Sequence, residues 1–270
     1  MASNRKAQKE TDQAIRHLMD YVCETSPWDH LFDELMIQFI EPVATHLQRE
    51  TEDVRDELLD GPHHSTAWGF LFEEMVSVEW HNEGNATATY LKQRGWREGT
   101  HGKSYLRALA NSSVKLWDIT DVSPGEWIDL RLYGTSKKPK RVHEHSASQQ
   151  LVPGECLAAR VMLLGKLRGL SGAPLLLTAD TARQIQSRLN DVPGETEANY
   201  QQMVKDGELQ PADVPGDLTE EVKNEQEELL VNLAFGMWAT TNLLQATPTN
   251  FPELRNANDE HIVFLSLIHI

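Results

Sequence analysis

The stretch VKLWDITDVSPGEWIDLRL, residues 114–132, decides the fold. Its second half alternates strictly. Ile128, Leu130 and Leu132 fall on one side and Asp129 and Arg131 on the other, the two-residue period of a half-buried strand. Ser123-Pro124-Gly125 separates the halves with residues suited to a tight turn: Pro presets φ, and Gly accepts the positive φ that turns often need. Before this stretch the apolar residues recur with helical spacing. After it, short apolar runs and turn residues continue to about residue 180.

Those later runs read as further strands. Pro139–His145 forms a short one. Val152-Pro153-Gly154 repeats the turn chemistry. Leu157–Leu164 alternates and ends at Gly165, and Leu167–Leu170 and Leu175–Thr178 follow. Five or six short strands at this spacing predict a small, strongly curved antiparallel sheet or barrel over residues 112–180.

The flanks read as helices. In residues 1–111, Ser26-Pro27 with Asp29 resembles a cap, a first-turn proline and an acidic first turn, and Leu31, Leu35 and Phe39 follow at helical spacing. Ser65 or Thr66 caps another helix, with Phe72, Met75, Val76 and Trp80 on its apolar face. Two short helices, Thr87–Arg94 and Lys103–Asn111, are separated by Gly95 and Gly99. Helix resumes after Asp180. Asp191–Asp217, rich in Pro, Gly, Asp and Glu, reads partly as linker. Asp217 and Glu220 resemble a capping box opening a helix from Leu218 to Gln245, with Val222, Leu229, Leu233, Met237 and Leu244 on its apolar face. The expected class is therefore α+β: an N-terminal helical domain, a small antiparallel β-barrel-like domain, and a helical region over 181–265 that includes the start of a further, truncated domain.

The bulk composition is that of a globular protein, with 40% hydrophobic and 24% charged residues. No run approaches the ~18 apolar residues that cross a bilayer, so no membrane partner is expected. The first residues, MASNRKAQKETDQ, lack the apolar core of a secretory signal. Two cysteines, Cys23 and Cys156, cannot build a disulfide framework, which fits a reducing, cytoplasmic setting. The net charge is −16 and is unevenly spread. Residues 1–85 hold 6 Lys and Arg against 18 Asp and Glu, residues 86–190 hold 16 against 8, and residues 191–270 hold 3 against 15. A basic middle thus lies between two acidic flanks, and a polyanion as partner of the whole surface is disfavoured.

Motifs for catalysis are few. Gly169-Leu170-Ser171-Gly172-Ala173-Pro174 is similar to the serine-nucleophile loop of chymotrypsin-like proteases, and His101, His143 and His145 precede it. That protease fold needs two barrels, more strand than residues 114–180 supply, and a tight turn uses Gly, Ser and Pro for geometry alone. The turn reading is preferred, and a serine hydrolase using Ser171 is the less favoured alternative. His143 and His145 on one strand face could present two imidazoles to a metal, but no third ligand is sited nearby, so the expectation is a solvated face and no metal. His63-His64 read as helix-boundary residues. No phosphate-cradling loop follows the glycines at 165, 169 and 172, and no cofactor is implied.

The basic cluster carries more functional content. Lys137, Lys138, Lys140 and Arg141 fall in one turn-to-strand segment after Tyr133-Gly134. Arg160, Lys166 and Arg168 come from neighbouring strands, with Trp117, Trp127 and Tyr133 interleaved. Small β-barrels bind nucleic acid with such a set: Lys and Arg neutralise phosphates and aromatics stack on bases. Two other readings stay open. The segment is a solvated hairpin loop over core tryptophans, or the basic domain docks against the chain's own acidic helices.

The β section also resembles a known group. Tyr105–Leu109, Leu116-Trp117-Asp118-Ile119, Val122-Ser123-Pro124-Gly125, Val142-His143-Glu144, Ser146–Ser148, Pro153-Gly154-Glu155, Ala159-Arg160-Val161 and Leu170-Ser171-Gly172 together resemble a small domain in uncharacterised bacterial proteins, some with a C-terminal SEC-C-type zinc motif. The resemblance covers about residues 70–180 and implies a shared fold, with no reaction to carry over. This chain has no SEC-C cysteines. Its last residues, Leu267–Ile270 with Ser266, resemble translated sequencing-adapter read-through, and Ile262–Leu265 reads as a strand without a following partner. The expectation is a truncated bacterial accessory or regulatory protein, not an enzyme, whose basic β domain binds nucleic acid or an acidic protein. The alternative is a structural module with no ligand of its own.

Overall fold

A computed structural model describes residues 2–80 and 83–244. The chain is α+β. Six helices come first: α1 (Ala2–Glu24), α2 (Trp28–Leu47), α3 (Thr51–Asp60), α4 (His64–Ser77), α5 (Ala86–Arg94) and α6 (Thr100–Ala110). Seven strands follow: β1 (Lys115–Ser123), β2 (Trp127–Leu132), β3 (Lys140–His143), β4 (Cys156–Ala159), β5 (Val161–Leu164), β6 (Leu167–Leu170) and β7 (Leu175–Leu177). Two long helices, α7 (Ala179–Lys205) and α8 (Thr219–Leu244), close the described chain. The expected strand at 262–265 and the adapter-like tail lie outside the described residues.

The sheet is not a closed barrel. Five strands pair antiparallel in the order β3-β2-β1-β4-β7, and β5-β6 form a separate hairpin. The alternating run 157–164 breaks at Arg160, where the chain leaves the main sheet, so the second half of that run pairs with β6 instead of β1. The hairpin folds across to pack beside β3 and α6, which gives strong curvature without a closed ladder.

Period-two alternation sorts the strand residues into two cores. Trp117, Ile119, Ile128, Leu130, Val142, Leu157 and Ala159 fill the concave side of the sheet. Leu116, Cys156, Ala158, Leu175 and Leu177 face the helices and join their core. The centre of that larger core is α4, buried on almost every side from Thr66 to Val76. Each large apolar side chain buried there contributes roughly 1.5–3 kcal/mol. Helices from both flanks share this core with the sheet, so segments 1–111, 112–180 and 181–244 pack together.

Several local expectations need correction. Residues 191–205 are not linker: α7 runs through Pro193. A proline there cannot donate to the carbonyl of Leu189, but Gln226 Nε2 of α8 donates to that oxygen at 2.8 Å and removes the penalty of an unmet acceptor. The linker is confined to residues 206–218. The buried stripe of α8 is Leu230, Ala234, Phe235 and Trp238, with the expected Leu229, Leu233 and Met237 only flanking it. This helix is apolar on both sides, and the bulky aromatics take the inside. Asp217 lies just ahead of α8 and accepts from the Thr219 N–H at 2.9 Å and from its hydroxyl, while Glu220 pairs with Lys223 instead of completing the expected capping box. Pro27 occupies the cap of α2 instead of its first turn, and α4 begins at His64, ahead of Ser65.

Candidate anion-binding cleft

The cleft is built by the ladder. Trp117 of β1 pairs with Leu132 of β2, and Lys140 of β3 pairs with Leu130. All four therefore stand on the concave face. Trp117 donates its indole N–H to the carbonyl of Ala159 at 3.0 Å, which fixes the ring. The Lys140 ammonium lies 5.3 Å from the centre of that ring, near enough for a cation–π contact. The β2–β3 connection passes Gly134, at φ +67°, and delivers Lys137 and Lys138 to the same rim. Val161, Met162 and Leu163 of β5 form the opposite wall. Ala108, Asn111, Ser112 and Ser113, at the end of α6, close the third side. The enclosed cleft has a volume of about 550 Å³.

Lys115 is the fourth lysine of this cleft. The sequence reading passed over it, although alternation with Trp117 and Ile119 would have placed it on the same face. Its ammonium is held by Glu227 of α8 at 2.7 Å. Lys137, Lys138 and Lys140 have no carboxylate of the described residues within ion-pair distance.

The seven basic residues singled out from the sequence therefore divide. Three meet in the cleft. Lys166 and Arg168 sit on the exposed β5–β6 hairpin, also without an ion-pair partner among the described residues. Arg168 pairs across the hairpin with Leu163, a cleft-wall residue 59% exposed, so Arg168 shares that face. Arg141, one residue after Lys140, points to the opposite side of the sheet. There it forms a two-pronged bond to Asp129, at 2.9 and 2.8 Å, and stacks on Trp127 with its guanidinium 3.5 Å from the ring centre. That pairing holds the Asp129 carboxyl below its usual range.

Arg160 departs from the expected basic face altogether. It is 4% exposed, ion-paired with Glu74 of α4, and donates to the carbonyl of Ser112 at 2.8 Å. Next to it, the Glu73 carboxylate accepts from the Gly172 N–H at 2.6 Å and from the Ser171 hydroxyl. Burial pushes the carboxyls of both Glu73 and Glu74 upward, and Arg160 opposes the shift. The Gly-Ser-Gly turn is thus bolted to α4. Ser171 is 3% exposed and its hydroxyl is committed to a carboxylate. This is the geometry of a strut, not of a serine activated by an imidazole within hydrogen-bond reach.

The histidines are placed separately. His143 ends β3, so His145 lies beyond the strand, and its ring meets the carbonyl of Gly125 at 2.7 Å. His63 packs edge-on against Trp238. Among the described residues no group of three or more His, Cys, Asp or Glu is placed to hold a metal ion, and no helix is long and apolar enough to cross a membrane. No family model, curated protein or solved structure matches the chain.

Proposed function

We propose that the protein is a non-enzymatic binding module that takes a single strand of nucleic acid in the basic cleft of its β section. The observation that carries this reading is the juxtaposition, in one cleft of about 550 Å³, of an apolar wall and three lysines that have no carboxylate partner among the described residues. The lysines suit phosphates and the wall of Trp117, Leu132, Val161 and Leu163 suits a base. An accessory or regulatory role in a bacterial cell fits a chain that presents such a binding surface.

The test is fluorescence anisotropy of a labelled oligothymidylate with the full chain across a salt series. Three phosphate contacts should give a slope of log K on log salt of about −2, since each contributes about −0.7 on a single strand. Between 50 and 200 mM salt that is roughly a 20-fold loss of affinity. Replacing Lys137, Lys138 and Lys140 together by Ala should make the slope shallower by about 2. Absence of binding at low salt, or a slope unchanged in the triple variant, refutes the proposal. An acidic peptide that binds in place of the strand would assign the cleft to a protein partner.

A further inference from the structure

We infer that a strand seated in the cleft continues along the exposed face of α6 and ends on Trp96. The inference rests on the cleft reading above and extends it to a second, separate contact.

Trp96 is 80% exposed, whereas Trp28, Trp68, Trp117 and Trp238 are each at most 8% exposed. It projects from a 3₁₀ turn, Gly95–Arg97, that joins α5 to α6. Leaving so large an apolar ring in water has a cost, and a flat exposed aromatic is a stacking platform for a base. Its surroundings carry the complementary charge. Residues 86–111 contain Lys92, Arg94, Arg97, Lys103 and Arg107 against a single acid, Glu98. That acid is 6% exposed and is bound by His17 and Tyr90. Arg94 lies over the Tyr21 ring, but Lys92, Arg97, Lys103 and Arg107 have no ion-pair partner among the described residues. Glu10 of α1 accepts from the His101 N–H at 2.9 Å and pairs with Lys6, and Asp12 of the same helix lies near Tyr105 of α6.

Helix α6 connects the two ends. Gly102, Tyr105, Leu106 and Leu109 face inward, so Lys103, Arg107 and Asn111 follow one another at i, i+4 and i+8 along the outer side. Asn111 lines the cleft and its side-chain amide donates to the Arg107 carbonyl at 2.7 Å. Eleven helical residues span roughly 16 Å at 1.5 Å per residue. The basic surface therefore runs from the cleft lysines past Arg107 and Lys103 to the turn that bears Trp96.

The experiment titrates the full chain with oligothymidylates from a dinucleotide to a dodecamer, since single-strand sites commonly span ~4–16 nucleotides. Trp96→Ala and Arg107→Glu should each weaken the dodecamer about tenfold and leave the dinucleotide unchanged, the loss expected for one stacked base or one phosphate contact. Lys137→Glu with Lys138→Glu should weaken both lengths. The extra quenching of indole emission by the dodecamer over the dinucleotide should disappear in Trp96→Phe. Dodecamer affinity unaffected by Trp96→Ala and Arg107→Glu, together with sensitivity to the cleft variant, overturns the track and leaves the cleft standing. Failure of every length to bind overturns both. Trp96 and Arg107 are exposed, so their replacement should leave stability within about 0.5 kcal/mol, and unchanged urea midpoints would exclude unfolding as the cause.

Discussion

Arg160→Met separates a structural arginine from a surface one. A methionine of similar length keeps the stem in place and removes the charge. The loss is worked from the contacts: an ion pair to Glu74, a hydrogen bond to the Ser112 carbonyl, and attraction to Glu73. Both carboxylates stay behind, Glu73 buried and Glu74 mostly so. Removing one partner of such a buried pair costs about 3–5 kcal/mol, because the other charge is left without compensation. In urea, with a slope of about 3 kcal/mol per molar, the midpoint should fall by on the order of 1–2 M. The cost should also depend on pH. Arg160 normally lowers the Glu74 pKa, so its loss raises the folded-state value further. A carboxyl whose folded pKa exceeds its unfolded value stabilises when protonated and loses that stability as pH rises. The penalty of Arg160→Met should therefore be larger at pH 7 than at pH 5. Glu74→Met added to Arg160→Met should recover much of the loss, giving a strong coupling in a double-mutant cycle. A cost under about 1 kcal/mol, as for an exposed arginine, would refute the buried-network account.

Glu73 offers a second test of the same network. Its carboxyl is raised by burial, so ionisation strains the fold as pH rises above the ordinary value of 4.5. Glu73→Gln keeps an oxygen for the Gly172 N–H and the Ser171 hydroxyl without a charge to bury. Urea unfolding of the variant should depend less on pH between about 4.5 and 7 than that of the wild type, and equal pH slopes would argue against a titrating Glu73. The thiols give a simpler readout. The Cys156 thiol is buried and pushed up to about 11 by burial and by Asp118, while Cys23 is exposed but raised by burial of its sulfur and by Asp20 and Glu24. A colorimetric thiol reagent at pH 8 should titrate Cys23 slowly in the native protein and Cys156 only in urea. Rapid native reaction of both would mean that the β1–β4 pairing opens readily.

The fold was legible where pattern and chemistry agreed. Alternation in Trp127–Leu132, the turns at Pro124-Gly125 and Pro153-Gly154, and the helical spacing around Leu35 and Phe39 all correspond to observed elements. The errors have local physical causes. Pro193 reads as a breaker, and only the distant Gln226 side chain makes it tolerable within α7. The break at Arg160 is invisible to a period-two pattern because the residues on both sides remain apolar. For the cleft, the sequence pointed to Lys137, Lys138 and Lys140 but could not separate them from Arg160 or Arg141. Which basic side chains face carboxylates is decided by α4 and by β2, neither adjacent to them in the chain. Lys115 was within reach of the alternation rule. Trp96 was not, because nothing in a local pattern distinguishes an exposed tryptophan from a buried one.

The charge contrast along the chain raises the question of whether the acidic helices simply neutralise the basic middle. Across the boundary between flanks and middle, the described Lys and Arg ion pairs are Lys115–Glu227, Arg160–Glu74 and, within α7, those of Arg188 with Asp191 and Glu195. Apart from the Glu73 bonds to Gly172 and Ser171, the sheet face against α4 and α8 is largely apolar, formed by Leu116, Ala158, Leu175 and Leu177. Hydrophobic burial, not charge, therefore holds the flanks to the sheet. Three of the middle section's 16 cations are consumed there. Arg131 and Arg141 are consumed within the sheet by Asp118 and Asp129. The lysines at 137, 138 and 140, the lysine and arginine of α6, and those of the β5–β6 hairpin have no carboxylate partner among the described residues. The acidic helices then act at long range only. Their field should slow the approach of a polyanion at low salt, where the screening length is ~30 Å, and fade at physiological salt, where it is ~8 Å and short contacts in the cleft dominate.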